Sequence, residues 1–142
     1  MDAARRFGIA WVALTLSLAA HVADEAHTDF LSVYNPTVLA IRSRIPFLPL
    51  PTLTFDVWLG GLIFAVVALL VLSTFAFRGA PGMIVFANLY GFIMFMNGMG
   101  HTLSSVYLRR WMPGVYSSPL LLATSVYLLW SARRLSAARG PD

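Results

Sequence analysis

Residues 57–77 read VWLGGLIFAVVALLVLSTFAF and contain no charged side chain. A helix that crosses a bilayer needs about 20 apolar residues, each rising 1.5 Å. Three further stretches are comparably apolar, so the sequence predicts four spans, at about 7–25, 55–77, 83–107 and 115–132. The stretches lack the two-residue alternation of barrel strands, and unpaired backbone groups are too costly in lipid, so each span is predicted to be a helix.

The composition of the whole chain points to the same class of protein. Of the 142 residues, 58% are hydrophobic and 11% are charged, whereas soluble domains carry about 25% charged residues. We therefore predict an all-α, polytopic membrane protein, with residues 1–142 forming one domain built as a four-transmembrane-helix bundle. The chain has no cysteine, which excludes disulfides and thiol-ligated cofactors. We expect no nucleotide cofactor.

The charges of the chain bear on its orientation in the membrane. All ten basic residues are arginines, and with six acidic residues they give a net charge of +4. In a membrane protein such an excess reflects topology, so no nucleic-acid partner is expected. The side that holds both termini would carry six arginines and the other side four, which favours cytoplasmic termini. In an alternative interpretation, the first span is a cleaved secretory signal preceded by Arg5 and Arg6.

The connection between the first two spans is not an ordinary solvated loop. Within it, residues 47–51 read FLPLP, which is too apolar for a linker in water. The prolines exclude a continuous helix there. We expect this segment, about residues 28–54, to lie along the membrane interface or to cap the bundle.

Ionisable side chains gather at the end of the first span, where residues 21–29 read HVADEAHTD. Each charge inside a span costs about 2.5–3.5 kcal/mol on insertion scales, so each requires a partner or a purpose. With a helical rotation of about 100° per residue, His21, Asp24 and Glu25 project within one arc of about 100°. His27 points elsewhere unless the chain bends there.

The third span carries a second polar group, Asn97 and His101, which are one turn apart on one helical face. The first and third spans run in the same direction, and both groups lie about 15 to 19 residues from the start of their spans. We therefore predict that the two groups meet at the same depth. Asp56 and Tyr116, the latter followed by two serines, begin the other spans on the same side of the membrane.

The sequence also resembles a known family. His21-Val22-Ala23-Asp24-Glu25 is similar to the motif that names the HXXEE family of small bacterial integral membrane proteins, with aspartate in place of the first glutamate. Asn97-x-x-x-His101 and the Met112-Pro113-Gly114 stretch resemble the C-terminal half of that family. The resemblance covers most of the chain and implies a bacterial cytoplasmic (inner) membrane location and a shared importance of these residues. It implies no particular reaction.

Three hypotheses account for the polar residues. In the first hypothesis, the same four residues are the metal ligands and the catalytic residues, and they hold iron, manganese or zinc, as facing helices do in metal-binding bundles. These four residues are His21, Asp24, Glu25 and His101. Other residues would then surround and orient the ligands; they are Asn97, Asp56, His27 and Tyr116. In the second, a carboxylate and a histidine form a metal-free acid–base site. In the third, these side chains only pair with arginines at the headgroup level.

We expect a membrane-embedded enzyme that acts on a lipid, an isoprenoid or another apolar small molecule entering from the bilayer. In the metal hypothesis the ion activates water or oxygen or polarises the substrate, and in the metal-free hypothesis the protein is an isomerase or cyclase. Two alternatives from other classes are a proton or metal-ion transporter and an accessory subunit that binds a partner helix. A homo-oligomer is compatible with all of them.

Overall fold

A computed structural model describes residues 2–140, and within that range the chain forms helices and no strand. The helices are α1 (Ala3–His27), α2 (Leu31–Arg44), α3 (Phe55–Phe77), α4 (Pro81–Leu108) and α5 (Ser118–Ala137). The predicted all-α architecture is therefore confirmed. Three of the helices, α1, α3 and α4, are long and apolar enough to cross a membrane by length and composition.

The helices differ from the predicted spans mainly at the fourth. The second predicted span coincides with α3, and α1 and α4 extend a few residues beyond the first and third. The fourth, expected over 115–132, begins at Ser118 instead and continues past Arg133 and Arg134 to Ala137. Residues 113–117 form turns, and Gly114 among them has a φ of 81°, outside the right-handed helical region.

The connection between α1 and α3 contains a helix, α2, which is not among the helices predicted from the sequence. Pro36 lies inside α2, beyond the first turn, so the helix lacks the backbone hydrogen bond that an N–H at this position would make to the Ser32 carbonyl. The segment that follows is non-helical, as its prolines predict. It is held to α2 by Asn35, whose amide donates to the Leu53 carbonyl (3.0 Å) and accepts from the Leu53 N–H (2.9 Å). Tyr34 adds a hydrogen bond to the Pro51 carbonyl (3.1 Å).

α1 is the central helix of the bundle. It packs on α3 and on α5, α4 packs on α5, and α1 meets α4 at few positions. Trp11 of α1 is fully buried; its indole N–H donates to the Leu69 carbonyl of α3 (2.8 Å), and its ring packs against Phe86 and Tyr90 of α4. This pairing satisfies the donor that a buried tryptophan carries. α3 and α4 hardly touch each other among the described residues, so a crevice remains between them.

The helices alternate in direction, which gives the bundle two distinct ends. At one end, which we call the termini end, the Phe77 ring of α3 packs on Gly8 of α1, and Gly79 lies beside Ala4. The opposite end, which we call the α2 end, holds the last turn of α1, helix α2 and the turn between α4 and α5. All residues of the cluster described next belong to the α2 end.

Candidate functional site

Three ionisable side chains meet between α1 and α4 at the α2 end. Glu25 Oε1 lies 3.1 Å from His101 Nε2 and 3.6 Å from His21 Nε2. His21 and Glu25 are one turn apart on α1 and therefore share a face. The side chains of His21, Glu25 and His101 are 1%, 6% and 15% exposed, and one potential ligand atom from each lies within 4.8 Å of the other two. We call these three residues the His–Glu–His cluster.

The two distances from Glu25 to the histidines are close to those between the ligands of a metal ion. Two ligand atoms held about 2.0–2.1 Å from a tetrahedral ion are about 3.3 Å apart, and the two distances from Glu25 Oε1, 3.1 Å and 3.6 Å, lie on either side of that value. Two histidines and one carboxylate are the donor set of several catalytic zinc sites and of facial non-haem iron sites, which keep a position open for water or substrate. The cluster therefore offers the donor set of such a site, with one ligand atom from each residue within 4.8 Å of the others.

A chain of hydrogen bonds at the Nδ1 atom fixes the ring of His21. The Ser117 hydroxyl donates to Asp24 Oδ2 (2.7 Å), and the Ser117 backbone N–H donates to the same oxygen (2.9 Å). A bond to an ionised carboxylate is stronger than the longer contact of this hydroxyl with the Gly114 carbonyl (3.2 Å). With its proton directed at Asp24, Ser117 Oγ accepts from His21 Nδ1, 2.8 Å away. We therefore assign the proton of a neutral His21 to Nδ1.

This tautomer leaves the lone pair of His21 Nε2 facing two acceptors. Asn97 Oδ1 lies 3.1 Å from Nε2 and Glu25 Oε1 lies 3.6 Å from it. Neither oxygen can donate a proton while Glu25 is ionised. The conflict is relieved by a second proton on His21, by a proton on Glu25, by a rotated Asn97 amide that presents its NH2 group, or by a cation between the acceptors. His101 Nε2 faces the same carboxylate oxygen, 3.1 Å away, and an N–H there can donate to it without an ion.

The turn between α4 and α5 covers the cluster at Gly114. A Cβ atom at this position would lie 2.8 Å from His21 Cε1, 3.0 Å from His101 Nδ1 and 3.1 Å from Glu25 Cγ. Its positive φ and the lack of space both require glycine. The Ser118 hydroxyl holds the turn by donating to the Gly114 carbonyl (2.7 Å). Gly114 thus closes the cluster from the α2 end.

Three of the residues that the sequence predicts around the metal ligands lie away from the cluster. His27, Asp56 and Tyr116 are all exposed. α1 continues unbroken to His27, so this side chain points about 160° away from Glu25. Asp56 occupies the first turn of α3, and Tyr116 stacks on Trp111 instead. Asp24 and Asn97, by contrast, are joined to the cluster through hydrogen bonds.

Two residues contribute to the site without having been assigned a role from the sequence, Ser117 and Gly114. The sequence predicts Ser117 at the same end of the bundle as the cluster but does not link it to Asp24, which lies 93 positions away along the chain. Gly114 occurs in the Met112-Pro113-Gly114 stretch that resembles the HXXEE family, and this stretch is the one signal that could have singled it out.

Two openings lead to the cluster. A cleft of about 680 Å³ between α2 and α4 is bordered by His101, Asn97 and Arg110. A crevice of about 280 Å³ among α1, α3 and α4 reaches His21, Glu25 and Asn97. The rest of the crevice is lined by apolar residues and one tyrosine: Leu18, Val22, Leu62, Ala65, Leu69, Phe86, Leu89, Tyr90, Ile93 and Met94. Asn97 borders both openings, so the cluster lies where the cleft and the crevice meet.

Comparison with known proteins identifies a family for the chain. The family described as "Protein of unknown function with HXXEE motif" matches residues 11–128. This range covers most of the chain and all residues of the cluster, so the chain belongs to that family, and the resemblance inferred from residues 21–25 is confirmed. No curated protein and no solved structure matches the chain.

Proposed function

We propose that this member of the HXXEE family is a membrane-embedded enzyme that binds a divalent transition metal through His21, Glu25 and His101 and acts on an apolar substrate from the bilayer. The main support is the convergence of three ligand atoms within 4.8 Å in a buried position. Burying a carboxylate and two imidazoles among apolar helices is costly. That cost is readily explained if the cluster binds an ion or a substrate.

The residues around the cluster have clear parts in such a site. A bound metal would polarise a substrate oxygen or lower the pKa of a bound water. Asp24 and Ser117 would hold His21 in the tautomer that offers Nε2 as a ligand, as hydrogen-bond partners commonly do behind metal-binding histidines. Asn97 borders both openings and would position the substrate. The apolar walls of the crevice would exclude water and strengthen the electrostatic effects.

The elemental composition and the lipid products test this function. Protein purified in detergent without a histidine tag is expected to contain a stoichiometric transition metal. Membranes from cells that express the protein are expected to differ in at least one lipid or isoprenoid species from membranes that lack it. A changed lipid profile without stoichiometric metal would favour the metal-free candidate below. Absence of both would contradict the proposed enzyme.

We also propose that α5 is the fourth span, in addition to α1, α3 and α4. Its residues Leu121, Ser125 and Leu128 are completely buried, and the helix packs along both α1 and α4. If those helices cross the membrane, α5 runs beside them. Both termini then lie on one side, which the excess of arginines assigns to the cytoplasm of a bacterial cell. The cluster would lie towards the outer leaflet, with α2 along the outer interface.

Cysteine labelling can test this topology, because the natural chain has no cysteine. Ser43→Cys in α2 and Tyr116→Cys before α5 are expected to react with a membrane-impermeant maleimide in intact cells. Ala138→Cys, after α5, is expected to react only once the membrane is opened. Labelling of Ala138→Cys together with Tyr116→Cys in intact cells would show that α5 does not cross the membrane. Labelling of Ala138→Cys alone in intact cells would show that the orientation is the opposite of the proposed one.

A metal-free acid–base enzyme is the second candidate. It is favoured by the 3.1 Å distance between Glu25 Oε1 and His101 Nε2, which is a normal hydrogen bond without any ion. In this case Glu25 would give a proton to an alkene or epoxide and a histidine would remove one elsewhere, which is the chemistry of an isomerase or cyclase. The metal measurement separates this candidate from the first.

The arrangement gives less support to transport. Asn88 and Tyr90 are the polar residues of α4 between its start and Asn97, and Asn88 is exposed. The hydroxyl of Tyr90 is buried and makes no hydrogen bond to the described residues. The polar network therefore does not continue through the described part of the bundle, and it has the form of a site at one end.

A further inference from the structure

We infer that the substrate is an amphiphile with one apolar chain and an anionic head, the head bound beside Arg110 and the chain lying in the crevice between α3 and α4. This inference rests on the proposed function for the identity of the reacting site. The binding that it describes needs neither a metal nor turnover, so it can be tested separately.

The first support is the charge of the cleft between α2 and α4. Arg110 is the one arginine on its lining, and no carboxylate borders it. In the part of the chain that the structure describes, every ion pair joins a histidine to Glu25, so Arg110 has no acidic partner there. A guanidinium group presents donors that match the oxygens of a carboxylate or phosphate. The cleft therefore offers a site for an anionic head a short distance from His101.

The backbone at the end of α4 separates Arg110 from its neighbour. Arg109 adopts a left-handed conformation (φ 50°) that ends the helix. After this turn, Arg110 borders the cleft that contains His101. Arg109 instead borders a separate pocket that contains Trp111 and not His101, although Arg110 reaches that pocket as well. Two adjacent arginines at one end of the bundle thus differ in access to the cluster and form a matched pair.

The second support is the size and lining of the crevice. Its volume is about 280 Å³, and a water molecule, which is close in size to a methylene group, occupies about 30 Å³ in the liquid. The crevice therefore accommodates about nine such groups, which fits a single chain better than two. Because α3 and α4 hardly touch, a chain can enter sideways from the lipid. The crevice favours an apolar chain because apolar side chains such as Leu62 and Phe86 line it.

The two openings together indicate which part of the substrate reacts. Asn97 and Ile93 border both the cleft and the crevice. An amphiphile with its head in the cleft and its chain in the crevice must pass this boundary, where Glu25 and His101 are located. The reacting atoms would therefore be the first few atoms after the head, not the end of the chain.

Photocrosslinking of a defined probe tests this inference. The probe is a sixteen-carbon fatty acid with a mid-chain diazirine and a terminal alkyne, compared with the alcohol of the same chain. The whole protein is embedded in nanodiscs of phosphatidylcholine and assayed with and without prior metal removal. We expect the acid to bind about tenfold more tightly than the alcohol and to crosslink to the crevice walls, within residues 62–69 and 86–94.

Matched variants separate the head and the chain. Arg110→Gln is expected to remove the preference for the acid, whereas Arg109→Gln keeps it. Ala65→Phe, which fills the crevice, is expected to lower labelling by both probes at least severalfold. Val67→Phe, on an exposed part of the same helix, is expected to leave labelling unchanged.

Several results would overturn the inference. Equal binding of acid and alcohol by the wild type would exclude an anionic head, and equal losses in the two arginine variants would indicate only attraction to the membrane surface. Crosslinks confined to the outer faces of the helices would exclude the crevice. The wild-type crosslinks decide the matter even if a variant fails to fold. Binding by a protein that purifies without stoichiometric metal would leave this inference standing while contradicting the metal-dependent function.

Discussion

Replacing Glu25 by glutamine is expected to abolish metal binding and turnover while leaving the bundle assembled. Glutamine has nearly the same shape but no charge, so it removes the one carboxylate of the His–Glu–His cluster. Loss of a partner behind a metal ligand typically lowers metal affinity about 10–100-fold, and loss of an anionic ligand should exceed that. Metal content by elemental analysis and the lipid profile of the cells measure the result.

The stability of the Glu25→Gln variant is expected to change little, or to rise, when no metal is bound. The side chain is 6% exposed, and a buried carboxylate is costly because its desolvation offsets much of what its partners return. Thermal unfolding in detergent after metal removal measures this. His27→Ala is the control, since His27 lies on the same helix but is exposed; it should keep both metal and activity. Full metal content in Glu25→Gln would exclude Glu25 as a ligand.

Replacing Gly114 by alanine is expected to disrupt the cluster without replacing any ionisable group. The new Cβ atom would lie 2.8 Å from His21 Cε1 and 3.1 Å from Glu25 Cγ, so both side chains must move. Overpacking of this kind typically costs about 1–3 kcal/mol. The positive φ of 81° adds about 1–2 kcal/mol for a residue with a Cβ atom. We expect a lower midpoint of thermal unfolding and loss of stoichiometric metal.

Two further glycines separate the causes of this effect. Gly140 also has a positive φ (78°), but a Cβ atom there would meet nothing within 4 Å. Gly140→Ala therefore carries the backbone strain without the crowding. Gly61→Ala carries neither, because Gly61 lies in α3 with open space around it. Both variants should retain the metal. If Gly114→Ala also retained it at wild-type affinity, the turn would not be a rigid cover of the cluster.

Much of the architecture could be predicted because it depends on local properties of the chain. The uncharged run 57–77 is long enough to span a bilayer wherever it lies, and α3 occupies it. The shared face of His21 and Glu25 follows from helical periodicity alone, and so does the different direction of His27. The start of α5 was less predictable, since it depends on a turn at Gly114 that no apolar pattern reveals.

Local patterns in the sequence establish an all-α, charge-poor chain with helices suited to a membrane, and they indicate which side chains are too costly to lie there without a purpose. They also predict that the groups around His21 and His101 meet, but not which atoms make contact. The fold joins His101 to Glu25 and Ser117 to Asp24, and it leaves Asp56 and Tyr116 exposed. Helix formation and lipid solubility are properties of neighbouring residues. Contacts across 76 to 96 positions, such as those of His21 with Asn97 and Ser117, depend on how the helices pack.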